Sequence, residues 1–317
     1  MLFLNEKDIL KAAAIEDMIA AVEKAYVVYE DNDFQMHARS HFTIQNNSVL
    51  FMPCSSDRAA GTKIVTVFPE NKDRPVTQGA VVLVDSKNGA VKALLDGTVL
   101  TALRTGALGG AAAKFLASDE AKSVGLIGTG YQGLYQIIAV CAVCKIQEIF
   151  LFNRSSSKIP HFIRNLKAYI KNIPIHTAET AQDLVQKSDI IITATTSATP
   201  VLPEADLYQR KLIIGIGSYM PHMREFPEHL LQNLKQMFID SHDAVNESGD
   251  ILIPLQKGWL SEAQFIPFSK VVTQKVKPDF TQTRVFKSTG MALFDLIAAE
   301  TVYEKAVQLQ LGQELDF

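Results

Sequence analysis

Three features of the sequence predict an α/β protein. In the middle of the chain the strand-like run Val124-Gly125-Leu126-Ile127 leads straight into Gly128-Thr129-Gly130-Tyr131-Gln132-Gly133, which opens an apolar helix through Ile137, Ile138 and Val140. After it, short apolar strands alternate with helical patterns, as in a parallel sheet covered on both faces. Before it, runs rich in β-branched and aromatic residues follow one another closely, as in an antiparallel sheet or partial barrel. The expected architecture is a Rossmann-type doubly wound domain joined to an α+β domain. A flavodoxin-like parallel domain that binds no dinucleotide is the alternative for the first.

Taken in order, Ile15, Met18, Ile19, Val22, Ala25, Tyr26 and Tyr29 recur at helical spacing, with Glu16, Glu23 and Lys24 between them, and predict one amphipathic helix. Strand-like runs cover 41–44, 49–52, 63–68, 80–84 and 91–95, and Asn88-Gly89 is a hairpin signal joining the last two. Helical patterning returns over 96–117, where Gly106, Gly109, Gly110 and Ala111 to Ala113 give a small-residue surface that lets another element approach. Beyond the glycine turn come a strand at 149–152, a helix to about 171, a strand at 175–177, a helix to about 186, and strands at 190–193, 212–216 and 237–239. A last helix over 292–309 carries Leu293, Leu296, Ile297, Val302 and Leu309 and is expected to pack back on the N-terminal domain.

The glycine turn carries the chemistry. Gly128 permits a tight turn at the strand end, Gly130 lets the backbone approach a pyrophosphate, and Gly133 lets helix and strand pack closely. The helix N-terminus adds unpaired N–H groups and a positive dipole end. The second strand ends at Asn153-Arg154-Ser155-Ser156, with no acid where a ribose 2′-OH would be held. An Arg at that point suits a 2′-phosphate. NADP(H) is therefore read in preference to NAD(H), with Gly128, Thr129, Gly130, Tyr131, Gln132, Gly133, Asn153, Arg154 and Ser155 as the binding set and Ser156 as a helper.

Composition narrows the classes. The 317 residues are 47% hydrophobic and 21% charged with a formal net charge of -3, which suits two globular domains and supplies no basic field for nucleic acid or anionic lipid. The N-terminal segment places charges at Glu6, Lys7 and Asp8, where a secretory signal needs apolar residues. No apolar run reaches membrane-spanning length. Three cysteines do not make a disulfide framework, and a reducing cytoplasm fits. Cys141 and Cys144 form a C-x-x-C near the far end of the glycine-turn helix, away from the dipole end that lowers a thiol pKa; structural thiols are expected there, and no metal site.

Arg39, Lys63 and Arg104 are isolated cations on or near predicted strands and a helix. Taken singly, each reads as a solvent-face residue. Converging on one cleft they would form a carboxylate site, with the Lys63 pKa lowered by the two guanidiniums. The stretches Thr195-Thr196-Ser197 and Gly215 to Glu225 follow buried strands and belong at the carboxyl edge of the sheet, where ligands bind. Each can equally be an ordinary connection. Thr195 and Ser218 are included in the cofactor set, and Arg224 with Glu225 is expected to pair across the second loop.

The chain resembles the ornithine cyclodeaminase and mu-crystallin family through Arg39, Phe51-Met52-Pro53, Lys63, Pro69-Glu70-Asn71, Leu100-Thr101-Ala102-Leu103-Arg104-Thr105-Gly106-Ala107, Gly128-Thr129-Gly130-Tyr131-Gln132, Pro221 to Glu225, and Phe286-Lys287-Ser288-Thr289-Gly290. That resemblance implies a homodimer in which residues 1–116 and 290–317 form the substrate and dimerisation domain and 117–289 the Rossmann domain. It implies that Arg39, Arg104 and Thr77 bind substrate and that Lys63 is catalytic, and Asn153-Arg154 looks like the family's NADPH-binding arrangement.

One departure separates this chain from part of the family. Cyclodeaminases and the related alanine dehydrogenase have an Asp two residues before the Pro that corresponds to Pro221, and here that position is Tyr219. A phenol with a reference pKa near ~10 cannot be the same general base at neutral pH. The resemblance then implies a reductase of cyclic imino acids, of the Δ1-pyrroline-2-carboxylate or Δ1-piperideine-2-carboxylate type. The alternatives are ornithine cyclodeamination, an alanine or N-alkyl amino-acid dehydrogenase, and a non-catalytic NADPH-binding protein.

Overall fold

A computed structural model describes residues 1–316. The chain opens with β1 (Leu2–Leu4), α1 (Glu6–Ala12), α2 (Ile15–Asp31), β2 (Phe34–Met36), β3 (Ser40–Ile44), β4 (Asn47–Ser56), β5 (Ala59–Val67), β6 (Thr77–Asp85), β7 (Val91–Asp96) and α3 (Gly97–Leu116). It continues through β8 (Ser123–Ile127), α4 (Tyr131–Val143), β9 (Glu148–Phe152), α5 (Ile159–Lys167), β10 (Ile175–Thr177), α6 (Ala181–Lys187), β11 (Ile190–Thr193), β12 (Leu212–Gly215), α7 (Glu228–Gln232) and β13 (Met237–Ile239). The remaining elements are α8 (Ala244–Glu247), α9 (Gly249–Gln256), β14 (Phe265–Pro267), α10 (Ser269–Val272), β15 (Arg284–Lys287), α11 (Ala292–Gln308) and β16 (Gln313–Glu314).

Two compact units result: 1–104 with 291–317, and 105–290. The division falls inside α3, earlier than the helix end at which the sequence suggests a boundary.

In the first unit the sheet runs β16-β1-β7-β6-β5-β4-β2, with β3 also on β4, and every pair but β1/β7 is antiparallel. Gly89 takes φ +75° in the β6/β7 hairpin, as the Asn-Gly signal requires. Helix α2 starts where the Asp17 carboxylate accepts from the Ala14 N–H (3.0 Å) and ends at Asn32 in the left-handed region. It buries Met18, Ile19, Val22 and Tyr26 against α11, where Tyr26 and Phe294 meet edge to face at 5.0 Å. The other side of α11 lies on β4, β5 and β6.

The second unit holds eight parallel strands in the order β10-β9-β8-β11-β12-β15-β13-β14. The chain steps outward from β8 through β9 to β10 and then returns to β11 on the other side of β8. The carboxyl ends of β8 and β11 therefore flank the switch point where such sheets bind ligands. The small-residue surface of α3 receives α4: a Cβ on Gly106 would lie 2.7 Å from the Tyr135 carbonyl oxygen, and Gln136 Nε2 donates to the Thr105 carbonyl at 2.6 Å.

Strand β15 is absent from the sequence expectation although it is central. Arg284 and Lys287 at its two ends suggest a surface segment, yet both are buried. The Arg284 guanidinium donates to the carbonyls of Arg210, Phe280 and Gln282, and Lys287 to that of Gly215. Backbone acceptors thus replace the water that these charges lose. Among the described residues, no helix is long and apolar enough to cross a membrane.

Candidate active site

The glycine turn is built for close approach. Gly128 has φ +102°, a conformation that side chains rarely adopt, and a Cβ there would lie 2.6 Å from the Ala194 carbonyl at the end of β11. A Cβ on Gly133 would lie 2.5 Å from the Gly128 carbonyl oxygen, whereas one on Gly130 would meet nothing within 4 Å. Gly130 is the N-cap of α4, and no side chain caps that helix. Asn153 ties the turn to the second strand: its Oδ1 accepts from Thr129 N at 3.2 Å and its Nδ2 donates to the Ser155 carbonyl at 2.9 Å. Arg154, Ser155, Ser156 and Tyr131 are exposed, while Thr129 Oγ1 and Gln132 Oε1 are buried without a hydrogen-bond partner. An uncapped helix end, an open glycine and two orphaned polar atoms fit a dinucleotide pyrophosphate.

At the same sheet edge, the fully buried Glu225 holds two loops together. Its Oε1 accepts from Thr195 N and Oγ1, both at 2.8 Å, and its Oε2 from Gly217 N (2.9 Å) and Ser218 N (3.2 Å). Asp250 Oδ1 fixes Glu225 in turn by accepting from the N–H groups of residues 225 and 226. Burial pushes the Glu225 pKa up, opposed by the charge of Lys287 and the Thr195 bonds.

The Thr195 and Ser218 hydroxyls are therefore turned inward; that of Ser218 bonds the Met223 carbonyl and Ser248. Their backbone N–H groups are taken by Glu225 as well, and Ser218 is fully buried. The expected Arg224–Glu225 pair does not form. Arg224 instead donates to the Phe226 carbonyl at 3.0 Å and stacks over Trp259, because Glu225 is already saturated from the other side.

In the first unit Lys63 lies on the inner face of β5, opposite Met52 and Val81, and is 3% exposed. Its Nζ meets Asp295 Oδ2 of α11 at 2.7 Å, and Arg104 Nε of α3 donates to Asp295 Oδ1 at 2.9 Å. Burial lowers the Lys63 pKa to about 8, assisted by the charges of Arg104 and Arg39 and opposed by Asp295. Burial alone would raise the Asp295 pKa, but Arg104 and Lys63 hold it below the usual carboxylate range. The solvent-face reading thus fails for Lys63 and Arg104, which converge. Arg39, half-buried ahead of β3, is close enough for its charge to act on Lys63.

Thr77 is exposed at the start of β6 opposite Val67. It stands four positions from Val81, the residue opposite Lys63, about 13 Å along the strand at the usual rise. Asp295 is the functional residue that the sequence reading misses. Its signal is a lone acid in the otherwise apolar run Leu293-Phe294-Asp295-Leu296-Ile297. Cys141 and Cys144 are half-buried, with thiol pKa values pushed up by burial to about 12 and about 11, so neither is a thiolate at neutral pH.

The solved Δ1-pyrroline-2-carboxylate reductase of Thermococcus litoralis, in complex with NADH and L-proline, superposes with a TM-score of 0.94 at 31% identity, covering 99% of this chain and 100% of that one. An archaeal alanine dehydrogenase dimer with bound NAD gives a TM-score of 0.92 at 25% identity, covering 100% and 99%. In sequence, a Δ1-pyrroline-2-carboxylate reductase of Bacillus cereus is 35% identical over 285 residues, 87% of each chain. Residues 1–310 match the profile of one family, and the chain belongs to it: the ornithine cyclodeaminase/mu-crystallin family.

Proposed function

We propose that the chain reduces a cyclic imino acid of the Δ1-pyrroline-2-carboxylate or Δ1-piperideine-2-carboxylate type to the cyclic amino acid. The observation that carries this reading is the convergence of Lys63, Arg104 and the charge of Arg39 around a single carboxylate, Asp295. Lys63 and Arg104 share one acid, and with the charge of Arg39 acting on Lys63 the cluster suits an anion. The names of the Bacillus and Thermococcus relatives point to the same substrate class.

In this reading Arg104 and Arg39 hold the substrate carboxylate, Arg104 through its planar fork of donors. Lys63 keeps the imine nitrogen protonated, directly or through water, which makes the C=N carbon electrophilic. A pKa of about 8 suits that role, since the ammonium is the main form at neutral pH and still a competent acid. The bound nicotinamide supplies the hydride. Positioning one face of the imine accounts for much of the acceleration.

NADP(H) is the preferred cofactor, with NAD(H) second. Support comes from Arg154, exposed at the end of β9, and from Asn153 in place of an acid, its amide already engaged with Thr129 and Ser155. The Thermococcus and archaeal neighbours carry NADH and NAD, so the preference is a property proposed for this chain. A homodimer is supported by β3, whose five residues are all exposed with Phe42 at 55% and Ile44 at 53%. The free thiols Cys54, Cys141 and Cys144 agree with a reducing cytoplasm.

The test is oxidation of NADPH, followed by its absorbance, with each imino acid, run beside L-ornithine with ammonia as the readout. Rapid oxidation with an imino acid and no ammonia is expected. Ammonia release without net cofactor consumption would replace this reading with the lyase.

A further inference from the structure

Helix α11 buries a largely apolar surface that two carboxylates interrupt at 2% exposure each, Glu300, which pairs with Lys24 and Arg58, and Asp295. A lone carboxylate there would be strongly destabilising unless paired. The partners of Asp295 are Lys63 Nζ and Arg104 Nε. A neutralising acid needs no particular choice of nitrogen, but the choice made here has a consequence. With Nε engaged, the terminal nitrogens Nη1 and Nη2 of Arg104 make no hydrogen bond among the described residues. They form the end-on pair that a planar carboxylate accepts from in a bidentate manner.

We infer that Asp295 is the positioning residue of this site: it turns the Arg104 fork outward for the substrate carboxylate and keeps Lys63 charged beside two guanidiniums. The inference rests on the reductase reading for the identity of the substrate, though the contacts themselves do not. The groups acting on Lys63 are Arg39 ahead of β3, Arg104 of α3 and Asp295 of α11. On β4, Cys54 also feels the Asp295 charge and stays a neutral thiol, its pKa pushed up to about 12 by burial first and by that charge second. Of these, Asp295 alone favours the ammonium. Without it, burial and the two guanidiniums act unopposed, and the Lys63 proton is lost nearer neutrality. Reduction leaves the arrangement intact: hydride adds to carbon, the imine nitrogen gains its proton, Lys63 is reprotonated from solvent, and Asp295 remains ionised throughout.

The experiment compares Asp295→Asn and Asp295→Glu with the native chain. Three quantities are read: the alkaline limb of kcat/KM with Δ1-pyrroline-2-carboxylate and NADPH, L-proline binding by calorimetry, and NADPH binding by fluorescence. For Asp295→Asn the limb should move about one pH unit or more toward neutrality and L-proline should bind about tenfold or more weaker, with NADPH affinity unchanged. Asp295→Glu should restore most of the limb and only part of the L-proline affinity, because it keeps the charge but displaces it by one methylene. An unmoved limb with unchanged L-proline binding in Asp295→Asn would overturn the inference. If that variant does not fold, Asp295→Glu decides: native L-proline affinity there refutes a positioning role. Should the native protein reduce no imino acid, the reductase reading fails on its own. The pH dependence of Lys63 labelling by an amine-reactive reagent, read by peptide mass, then tests Asp295 independently: an unshifted profile in Asp295→Asn refutes the inference, and one shifted toward neutrality supports it.

Discussion

Replacing Glu225 with glutamine changes the shape of the side chain little and removes one charge and one acceptor from the junction of two loops. The carboxylate receives four donors at 2.8 to 3.2 Å, two on each oxygen. Whichever way a carboxamide is turned, its NH2 faces one of those pairs. Turning it toward Thr195 is the milder choice, since that hydroxyl can rotate and accept, but the Thr195 N–H is still orphaned. Turning it the other way orphans Gly217 N and Ser218 N. One or two bonds to a charged acceptor are lost, at about 1.5–3 kcal/mol each. Part of this is returned, because burial already opposes the charged form of Glu225. A net loss of about 2–4 kcal/mol follows, which in a unit of this size lowers Tm by about 4–16 °C. Calorimetric melting measures the shift, and a fluorescence titration should show NADPH bound about tenfold more weakly, the equivalent of about 1.4 kcal/mol. A melt within about 1 °C of native together with unchanged NADPH affinity would refute the claim that this carboxylate shapes the cofactor side of the sheet.

The Lys63 pKa of about 8 predicts that kcat/KM falls about tenfold for each pH unit above that value; a profile flat through pH 9 or so would exclude Lys63 as the proton source. Stability has the opposite sign: the folded chain holds this proton less tightly than the unfolded one, so the Lys63 contribution grows as pH rises from about 8 toward 10.5, measurable as a rising urea midpoint in Asp295-intact protein relative to Lys63→Met. Arg154→Asp should weaken NADPH far more than NADH, and an unaltered ratio of the two dissociation constants contradicts the 2′-phosphate assignment. Phe42→Glu combined with Ile44→Lys should convert a dimer to monomers in sedimentation with the melt unchanged; persistence of the dimer moves the interface off β3.

Legibility in the sequence followed how local each interaction is. The turn from Gly128 to Gly133 could be read because strand, turn and helix are contiguous, and Gly128 and Gly133 each have a separate steric reason to be there. The hairpin at Asn88-Gly89 is local in the same way. Arg104 and Asp295 are 191 positions apart, and no periodicity joins them. Lys63 lies in a strand of Thr, Ile and Val, and its inward direction depends on register with β4 and β6 and on α11 lying over that face. Strand β15 was hidden for a related reason: its end charges look solvent-exposed until the carbonyls that accept from them are known. The two loop residues proposed for the cofactor were found by their place after strands, but the inward turn of the Thr195 hydroxyl depends on Glu225, 30 positions away, and that of Ser218 on Met223 and on Ser248, also 30 positions away.

Both units bury charge, and the way each does so separates scaffold from site. In the second unit the carboxylates are held by donors of loops distant in sequence: Asp240 Oδ2 accepts from Ser288 Oγ, Thr289 N and Gly290 N, and Asp250 Oδ1 from the successive amides of Glu225 and Phe226. Such acids fix backbone, and removing them should loosen loops before it alters any proton. In the first unit the Lys63 ammonium is shared between Asp295 and the neighbouring guanidiniums, and burial holds its pKa below the free value, at about 8. A buried ammonium that the fold does not fully compensate contributes little to stability. A bound carboxylate would supply the missing negative charge and raise that pKa again. Substrate binding should therefore take up protons when measured between the free and bound Lys63 values, and calorimetry of L-proline binding in two buffers of different ionisation enthalpy would detect it. Proton release, or none, would mean that the anion does not reach Lys63.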